Sequence, residues 1–190
     1  QREDDIKNLP KPYNNITVDY TGFVYVTVDF DKPSDLKQQL SSIKSKTSNY
    51  SPVKKLNSTG VEIMKRNGFF DPGGEVILSS DATKTTADLS VIKDVAIGKE
   101  GSWSLLDQKR SRIFTYDSNG NLLFAFGDSG RLVGNLQLVK AITYQGDKLL
   151  VLDYATSAIT VFKRTDYGNI LISAIEAEND RDFNLAINRW

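Results

Sequence analysis

The chain has 190 residues, with 24 Lys and Arg against 24 Asp and Glu, and it contains neither His nor Cys. This composition excludes disulfides, thiolate metal sites, Cys nucleophiles, His-based triads and His-based zinc sites, because the residue types they need are absent. A net charge of zero argues against a nucleic-acid-binding domain, whose affinity depends on a surplus of Lys and Arg facing phosphate.

The first segment, residues 1–12, is a polar extension that begins with Gln1. A first residue other than Met followed by polar sequence is typical of a chain from which a signal peptide or membrane anchor has been removed. We therefore expect an extracytoplasmic or membrane-anchored protein at a cell surface. A cytoplasmic location is the alternative, because the absence of Cys fits both compartments.

Residues 13–166 repeat a pattern of short apolar strands separated by Gly turns. Segments 95–107 and 141–153 each contain an apolar alternation, a Gly turn and a second apolar run that ends in Asp107 or Asp153, which are 46 residues apart. Segment 16–28 is a third copy. Repeats of about 40 to 50 residues that carry four short strands each are typical of the blades of a propeller.

Each copy predicts strands A to D in chain order, rich in the Val, Ile, Leu, Tyr and Phe that favour a half-buried sheet. Strand A is predicted at 16–19, 94–98 and 140–144, strand B at 22–28, 102–107 and 148–153, strand C at 53–56, 112–116 and 158–163, and strand D at 61–66 and 121–126. The turns at 57–60 and 117–120 begin with Asn or Asp and end with Gly, which is typical of short hairpin loops.

With these residues in place, the pattern resembles NHL-repeat β-propellers. Segment 106–127 fits best, with a strand ending in Leu-Asp, then Arg-Ile-Phe-Thr-Tyr-Asp, a Gly turn and Leu-Leu-Phe-Ala-Phe-Gly. The resemblance implies four-stranded antiparallel blades around a central channel, and many family members bind proteins, nucleic acid or small ligands without catalysis. The first copy departs from the pattern, because Val28 stands where the other copies have Asp107 and Asp153.

Three blades do not close a ring, since propellers typically have four to eight. The predicted fold is therefore all-β: a partial or oligomer-completed β-propeller of three four-stranded blades from a six-bladed ring, with a short C-terminal α-helical segment. Three arrangements stay open. The chain is a piece of a longer propeller, two chains complete one ring by self-association as three plus three, or the blades form an open arc capped by the extra segments.

Residues 29–52 are an insertion between strands B and C of the first copy. Part of it has the spacing of a short amphipathic helix that projects Lys37, Lys44 and Lys46 outward. Long loops on rigid scaffolds often bind partners, so these lysines and Tyr50 are the predicted partner-binding residues. The alternative is a tolerated excursion that covers an exposed blade edge.

The tail, residues 167–190, is predicted to be helical. Its apolar residues at 170, 171, 174 and 175 and again at 183, 186 and 187 have the spacing of one helical face, and Asn179-Asp180 separates the two runs. The arrangement resembles the opening of a tetratricopeptide-like helical hairpin. It is either the start of a helical-repeat domain or a cap packed on the open flank of the propeller.

Asp107 and Asp153 are the strongest polar recurrence in the chain. As carboxylates at the ends of equivalent strands they are candidate ligands of a divalent cation such as Ca²⁺, which prefers several oxygen ligands. The alternative is a structural role in which each accepts backbone N–H groups of the turn that follows. No catalytic residue and no other cofactor is predicted.

The expected function is a non-catalytic scaffold for binding or assembly that recognises a protein or small ligand through loops on one propeller face. The alternative is a metal-dependent hydrolase of the lactonase type, because sugar-lactone hydrolases also use six-bladed propellers. Their metal ligands cannot be placed on this sequence residue by residue.

Overall fold

The structure is a computed structural model, and it describes residues 13–28, 52–65, 76–77 and 88–190. The predicted extension 1–12 and almost all of the insertion 29–52 lie outside these ranges. The predicted partner-binding residues Lys37, Lys44, Lys46 and Tyr50 lie outside them too, and their role stays a prediction.

Three antiparallel sheets follow one another along the chain, and in each of them neighbouring strands are consecutive in sequence. The first contains β1 (Tyr13–Val18), β2 (Val24–Val28) and β3 (Val53–Leu56), the second β6 (Ile92–Ile97), β7 (Trp103–Asp107), β8 (Arg112–Tyr116) and β9 (Leu122–Phe126), and the third β10 (Val139–Gln145), β11 (Lys148–Asp153) and β12 (Ala158–Lys163). A two-stranded pair, β4 (Val76–Ile77) and β5 (Asp88–Leu89), comes between the first and second sheets in sequence.

The sheets are arranged as blades. The first strand of the second sheet, β6, contacts both β1 and β10, so the three first strands lie side by side. Each first strand also carries the same irregularity near its start, where the register shifts between Tyr13 and Asn15, between Ile92 and Asp94, and between Val139 and Ala141. Three meandering sheets that meet along their first strands form a partial β-propeller.

The second sheet buries both of its faces, as the two-residue period of a strand allows. Trp103 of β7 packs on one side against Tyr25 of the first sheet, with ring centroids 5.5 Å apart. On the other side Leu106 and Ile113 pack against the third sheet, where Ile142 is among their neighbours. The two apolar clusters between neighbouring sheets form the core of the molecule.

The predicted strand D of the first copy, 61–66, is the largest departure from the predicted strands. In its described part, 61–65, the structure has only an isolated bridge, between Leu56 and Glu62. Val61 and Ile63 of this segment are exposed, whereas Met64 packs partly buried against the cluster that contains Tyr25 and Trp103. One partly buried side chain does not make the segment a regular strand of the sheet. The strand C positions, in contrast, are observed at the predicted bounds in all three copies.

The uniform 46-residue offset is wrong for the first strands of the second and third copies. Ile92 pairs with Asp107, and Val139 pairs with Asp153, so the equivalent residues Ile92 and Val139 are 47 apart in the numbering. The turn after β6 is therefore one residue longer than the turn after β10. It contains a 3₁₀ turn, Lys99–Gly101, in which Glu100 has φ 54°.

The tail forms α1 (Asp166–Asn179) and α2 (Phe183–Arg189), which confirms the predicted helical segment with its start one residue earlier. The Thr165 hydroxyl caps α1 by accepting a bond of 3.3 Å from the Gly168 N–H. α1 packs on α2 and on the Lys99–Gly101 turn of the second sheet. In the described part of the chain, no helix has the length and apolar character that crossing a membrane requires.

Candidate functional site

Asp107, the last residue of β7, forms hydrogen bonds with the residues that directly precede β6. Its Oδ1 accepts the backbone N–H groups of Val91, at 3.1 Å, and Lys109, at 3.0 Å. Its Oδ2 accepts the Ser90 hydroxyl at 2.6 Å and Nη1 of Arg110 at 3.1 Å. The carboxylate is fully buried and the Arg110 side chain nearly so, which makes this a buried ion pair.

Asp153 makes the same connection in the third sheet. Its Oδ2 accepts the Gln137 N–H at 2.7 Å, and its Oδ1 accepts those of Leu138, at 3.1 Å, and Ala155, at 3.0 Å. Burial alone raises the pKa of this carboxyl, but the backbone N–H groups, including that of Thr156, together hold the pKa below its usual value.

These hydrogen bonds agree with the structural interpretation of the repeated aspartates. Each carboxylate fastens the turn after the second strand to the residues that precede the first strand of its own sheet. Within the ranges that the structure describes, no group of three or more Asp, Glu, His or Cys residues is placed to hold a metal ion. The Ca²⁺ role of Asp107 and Asp153 stays a prediction, and the Arg110 cation already occupies one side of the first carboxylate.

A third buried carboxyl, Asp94, links all three sheets. Its Oδ2 accepts the N–H of Ile142 in β10 at 2.7 Å, and its Oδ1 accepts the Val95 N–H at 2.7 Å and the side-chain amide of Asn15 in β1. Burial raises the pKa of Asp94 to about 6, and the bonds from Ile142 and Val95 lower it in part. No sequence signal identifies Asp94 as a joint between blades.

A cavity of about 480 Å³ lies where the second sheet, the third sheet and the start of α1 meet. Most of its lining is apolar and aromatic, and includes Phe124, Phe126, Tyr144, Leu149, Phe162 and Tyr167. Phe126 and Phe162 meet edge to face, with ring centroids 5.2 Å apart. Three charged residues also line the cavity: Asp147, Lys163 and Arg164.

The outward face of the third sheet consists of Leu150, Leu152, Ile159 and Val161, which form two cross-strand pairs between β11 and β12. We call these four residues the outer face. Leu152 is 44% exposed, Ile159 60% and Val161 54%. The helices therefore do not cap this flank of the propeller, which corrects one of the two interpretations of the tail.

The residues equivalent to the outer face in the second sheet are all fully buried. They are Ser104, Leu106, Ile113 and Thr115, each 46 residues earlier in the chain, and they lie against the third sheet. Ser104 and Thr115 hydrogen-bond each other at 2.7 Å, whereas their counterparts Leu150 and Val161 are apolar. The outer face thus occupies the position that is buried between blades in the second sheet. It is more apolar than that counterpart, and it is exposed.

The first sheet also has an exposed apolar face, on the side that faces away from the second sheet. Ile16 and Val18 of β1 are 65% and 56% exposed, whereas Val95, the equivalent of Ile16 in the second sheet, is buried against its neighbour. Both terminal sheets therefore expose apolar residues at positions whose equivalents in the second sheet are covered by a neighbouring sheet.

No protein-family model matches the chain, and no curated protein matches it. Among solved structures, virginiamycin B lyase from Staphylococcus aureus is similar, with 14% identity, a TM-score of 0.39 and coverage of 82% of this chain and 43% of the lyase. Saccharomyces cerevisiae Sqt1 is similar with 11% identity, a TM-score of 0.45 and coverage of 86% of this chain and 38% of Sqt1. The chain thus spans less than half the length of either protein.

Proposed function

We propose that the chain is a non-catalytic scaffold of the NHL-repeat type, and that its open sheet faces bind further blades of the same kind to complete a ring. The observation that carries this proposal is the outer face. Leu152 and Ile159 are exposed, although their equivalents Leu106 and Ile113 are fully buried against the next sheet. A module repeated in one chain packs its copies through equivalent faces, so the face of the third sheet is built for another blade.

The size of the effect favours closure over a single contact. Fully burying a Leu, Ile or Val side chain is worth about 1.5–3 kcal/mol, so covering four half-exposed ones contributes about 4 kcal/mol. Association costs about 4–15 kcal/mol in lost translational and rotational freedom. One such face is therefore marginal. Two faces that form together in a closed ring are favourable, because the second contact is intramolecular.

The complementary surface is on the first sheet, where Ile16 and Val18 are exposed. A head-to-tail contact between the outer face of one copy and β1 of another repeats the relation between neighbouring sheets within the chain. Such contacts close a ring when the rotation per blade permits it and otherwise grow into open chains. Two copies of this chain supply six blades, within the usual range of four to eight.

Light scattering at several protein concentrations tests this proposal. We expect the mass to rise with concentration from the 21.2 kDa of one chain to about twice that value. Leu152→Asp with Ile159→Asp should keep the protein monomeric, because a carboxylate on each of these positions must be desolvated in the contact. Tyr154→Asp, at an exposed residue of the neighbouring turn, is the matched control and should associate like the wild type.

We propose in addition that the tail is the first pair of a tetratricopeptide-like helical repeat. Ala174 and Ala186 are buried where α1 and α2 meet, which is the close packing that such hairpins need. Phe183, Ile187 and Trp190 are more than half exposed, and they provide an apolar surface for a further helix. A chain truncated after Arg164 should keep its sheet signal in circular dichroism. It should also lose any partner that a pull-down recovers through the tail but not any that binds the blades.

A further inference from the structure

We propose that the cavity at the junction of the second sheet, the third sheet and α1 binds a small planar aromatic molecule that carries one negative charge. Its volume of about 480 Å³ falls within the range of about 300–1,000 Å³ typical of small-molecule sites. It lies apart from the outer face, so this inference goes beyond the proposed assembly function and does not depend on it.

The walls favour an aromatic ligand. Phe124, Phe126 and Phe162 are only partly buried, and their rings form a chain with centroid distances of 6.2 and 5.2 Å. Partly buried rings gain most from a flat apolar ligand, because offset stacking and edge-to-face contacts add about 0.5–1.5 kcal/mol per pair to the burial of area. The hydroxyl of Tyr144, another wall residue, is already bonded to Ser104 Oγ at 2.8 Å, which fixes that ring in place.

The charges favour an anion. Lys163 and Arg164 line the cavity together with one carboxylate, Asp147, which leaves one positive charge in excess. In the described part of the chain, neither cation forms an ion pair with a carboxylate. The Arg164 Nε donates to Asn169 Oδ1 at 3.1 Å, which orients the guanidinium while its two terminal nitrogens can still bind a carboxylate or sulfonate.

Two fluorescent probes test the site. 8-Anilinonaphthalene-1-sulfonate has the aromatic area and the negative charge, and N-phenyl-1-naphthylamine has the same aromatic area without the charge. We expect one saturable sulfonate site per chain. Arg164→Gln should weaken the sulfonate about tenfold, the value of one charge-assisted hydrogen bond, and leave the neutral probe within twofold.

Phe124→Ala provides a second variant, because Phe124 lines the cavity and is only partly buried, so the change removes one aromatic wall of the site. We expect it to weaken both probes by up to about tenfold, the value of one aromatic contact, with a cooperative thermal transition as evidence of folding. Leu152→Ser with Ile159→Ser is the control for probe bound to the outer face, and it should leave the affinity unchanged.

Three results would overturn the inference. If Phe124→Ala binds both probes as the wild type does, or if the outer-face variant abolishes binding, the cavity is not the site. Equal weakening of both probes by Arg164→Gln would refute the role of charge. None of these results bears on whether the chains associate, which light scattering measures separately.

Discussion

Replacing Asp107 with Ala should be among the most costly single changes in this protein. The Asp107 carboxylate is fully buried and holds the Arg110 guanidinium, itself only 3% exposed, at 3.1 Å. Removing one partner of a buried ion pair costs about 3–5 kcal/mol, because the other charge is left buried without compensation. The change also frees the N–H groups of Val91 and Lys109, which fasten the turn after β7.

Asp153→Ala is the matched comparison, because Asp153 occupies the equivalent position in the third sheet. Its bonds come from four backbone N–H groups, and among the described residues no guanidinium is paired with it. Unsatisfied donors cost about 1–3 kcal/mol, and those in a turn regain part of this from water. The loss should therefore be clearly smaller than for Asp107→Ala, although the two residues are copies of one another in sequence.

Urea unfolding followed by Trp103 fluorescence measures both changes, since Trp103 is buried and stacked on Tyr116 at 4.7 Å. The midpoint should fall with an unchanged m value. A loss below about 1 kcal/mol for Asp107→Ala would contradict this prediction, because a broken buried ion pair costs about 3–5 kcal/mol. If Ca²⁺ raises the wild-type midpoint relative to chelator, and does so through these carboxylates, the cation interpretation is correct instead. Asp107→Asn, which keeps one acceptor, serves if the Ala variant does not fold.

Three further outcomes are expected. Leu106→Ala should lower the free energy of unfolding by about 2–5 kcal/mol in urea titrations, because the Leu106 side chain is fully buried. Leu152→Ala should lower it by much less at protein concentrations where the chain is monomeric, because Leu152 is 44% exposed. Equal losses would contradict the exposure of the outer face. Because burial raises the folded-state pKa of Asp94 from 3.8 to about 6, its contribution to stability is complete below pH 4 and is lost as pH rises through 6. That loss is up to about 3 kcal/mol, and Asp94→Asn should remove this part of the pH dependence. Gly127→Ala should be more destabilising than Gly60→Ala in thermal melts, since both have φ between 79° and 91° but only at Gly127 does a Cβ meet a backbone oxygen, at 2.7 Å.

The strands and turns were predictable because their signals are local. Alternation of apolar residues fixes the strand, and the Asx-to-Gly turns fix the hairpin. In the turn after β8, for example, Asp117 accepts N–H bonds from Asn119 and Asn121 at 2.8 Å. The strand D segment of the first copy has the same turn, but Val61 and Ile63 are exposed and Met64 is only partly buried. Turn chemistry alone therefore does not make a strand.

The contacts between blades were not predictable in the same way. Asp94 bonds to Asn15, 79 residues earlier, and to Ile142, 48 residues later, and no local pattern marks such a meeting. The one-residue difference between the second and third copies was also not predicted. A single sequence offset for a whole copy does not show that the turn after β6 is one residue longer, whereas the strand pairing shows it directly.

The cavity is likewise a product of tertiary packing. Its aromatic residues come from β9, β10, β12 and the first turn of α1, and each of them alone has the sequence signature of an ordinary half-buried strand or helix residue. The outer face, in contrast, could be predicted in part from the repeat. The sequence makes Leu152 equivalent to Leu106, and the structure shows that Leu152 is exposed and Leu106 is buried.

Cross-linking between single-cysteine variants tests the central claim most directly, because the chain has no cysteine of its own. Val18→Cys places a thiol on the first sheet and Ile159→Cys places one on the outer face of the third. A short bismaleimide added to an equimolar mixture should give mainly the mixed dimer, as a head-to-tail ring requires. Cross-links between like variants only, or none at concentrations where light scattering finds dimers, would contradict completion of the ring through these faces.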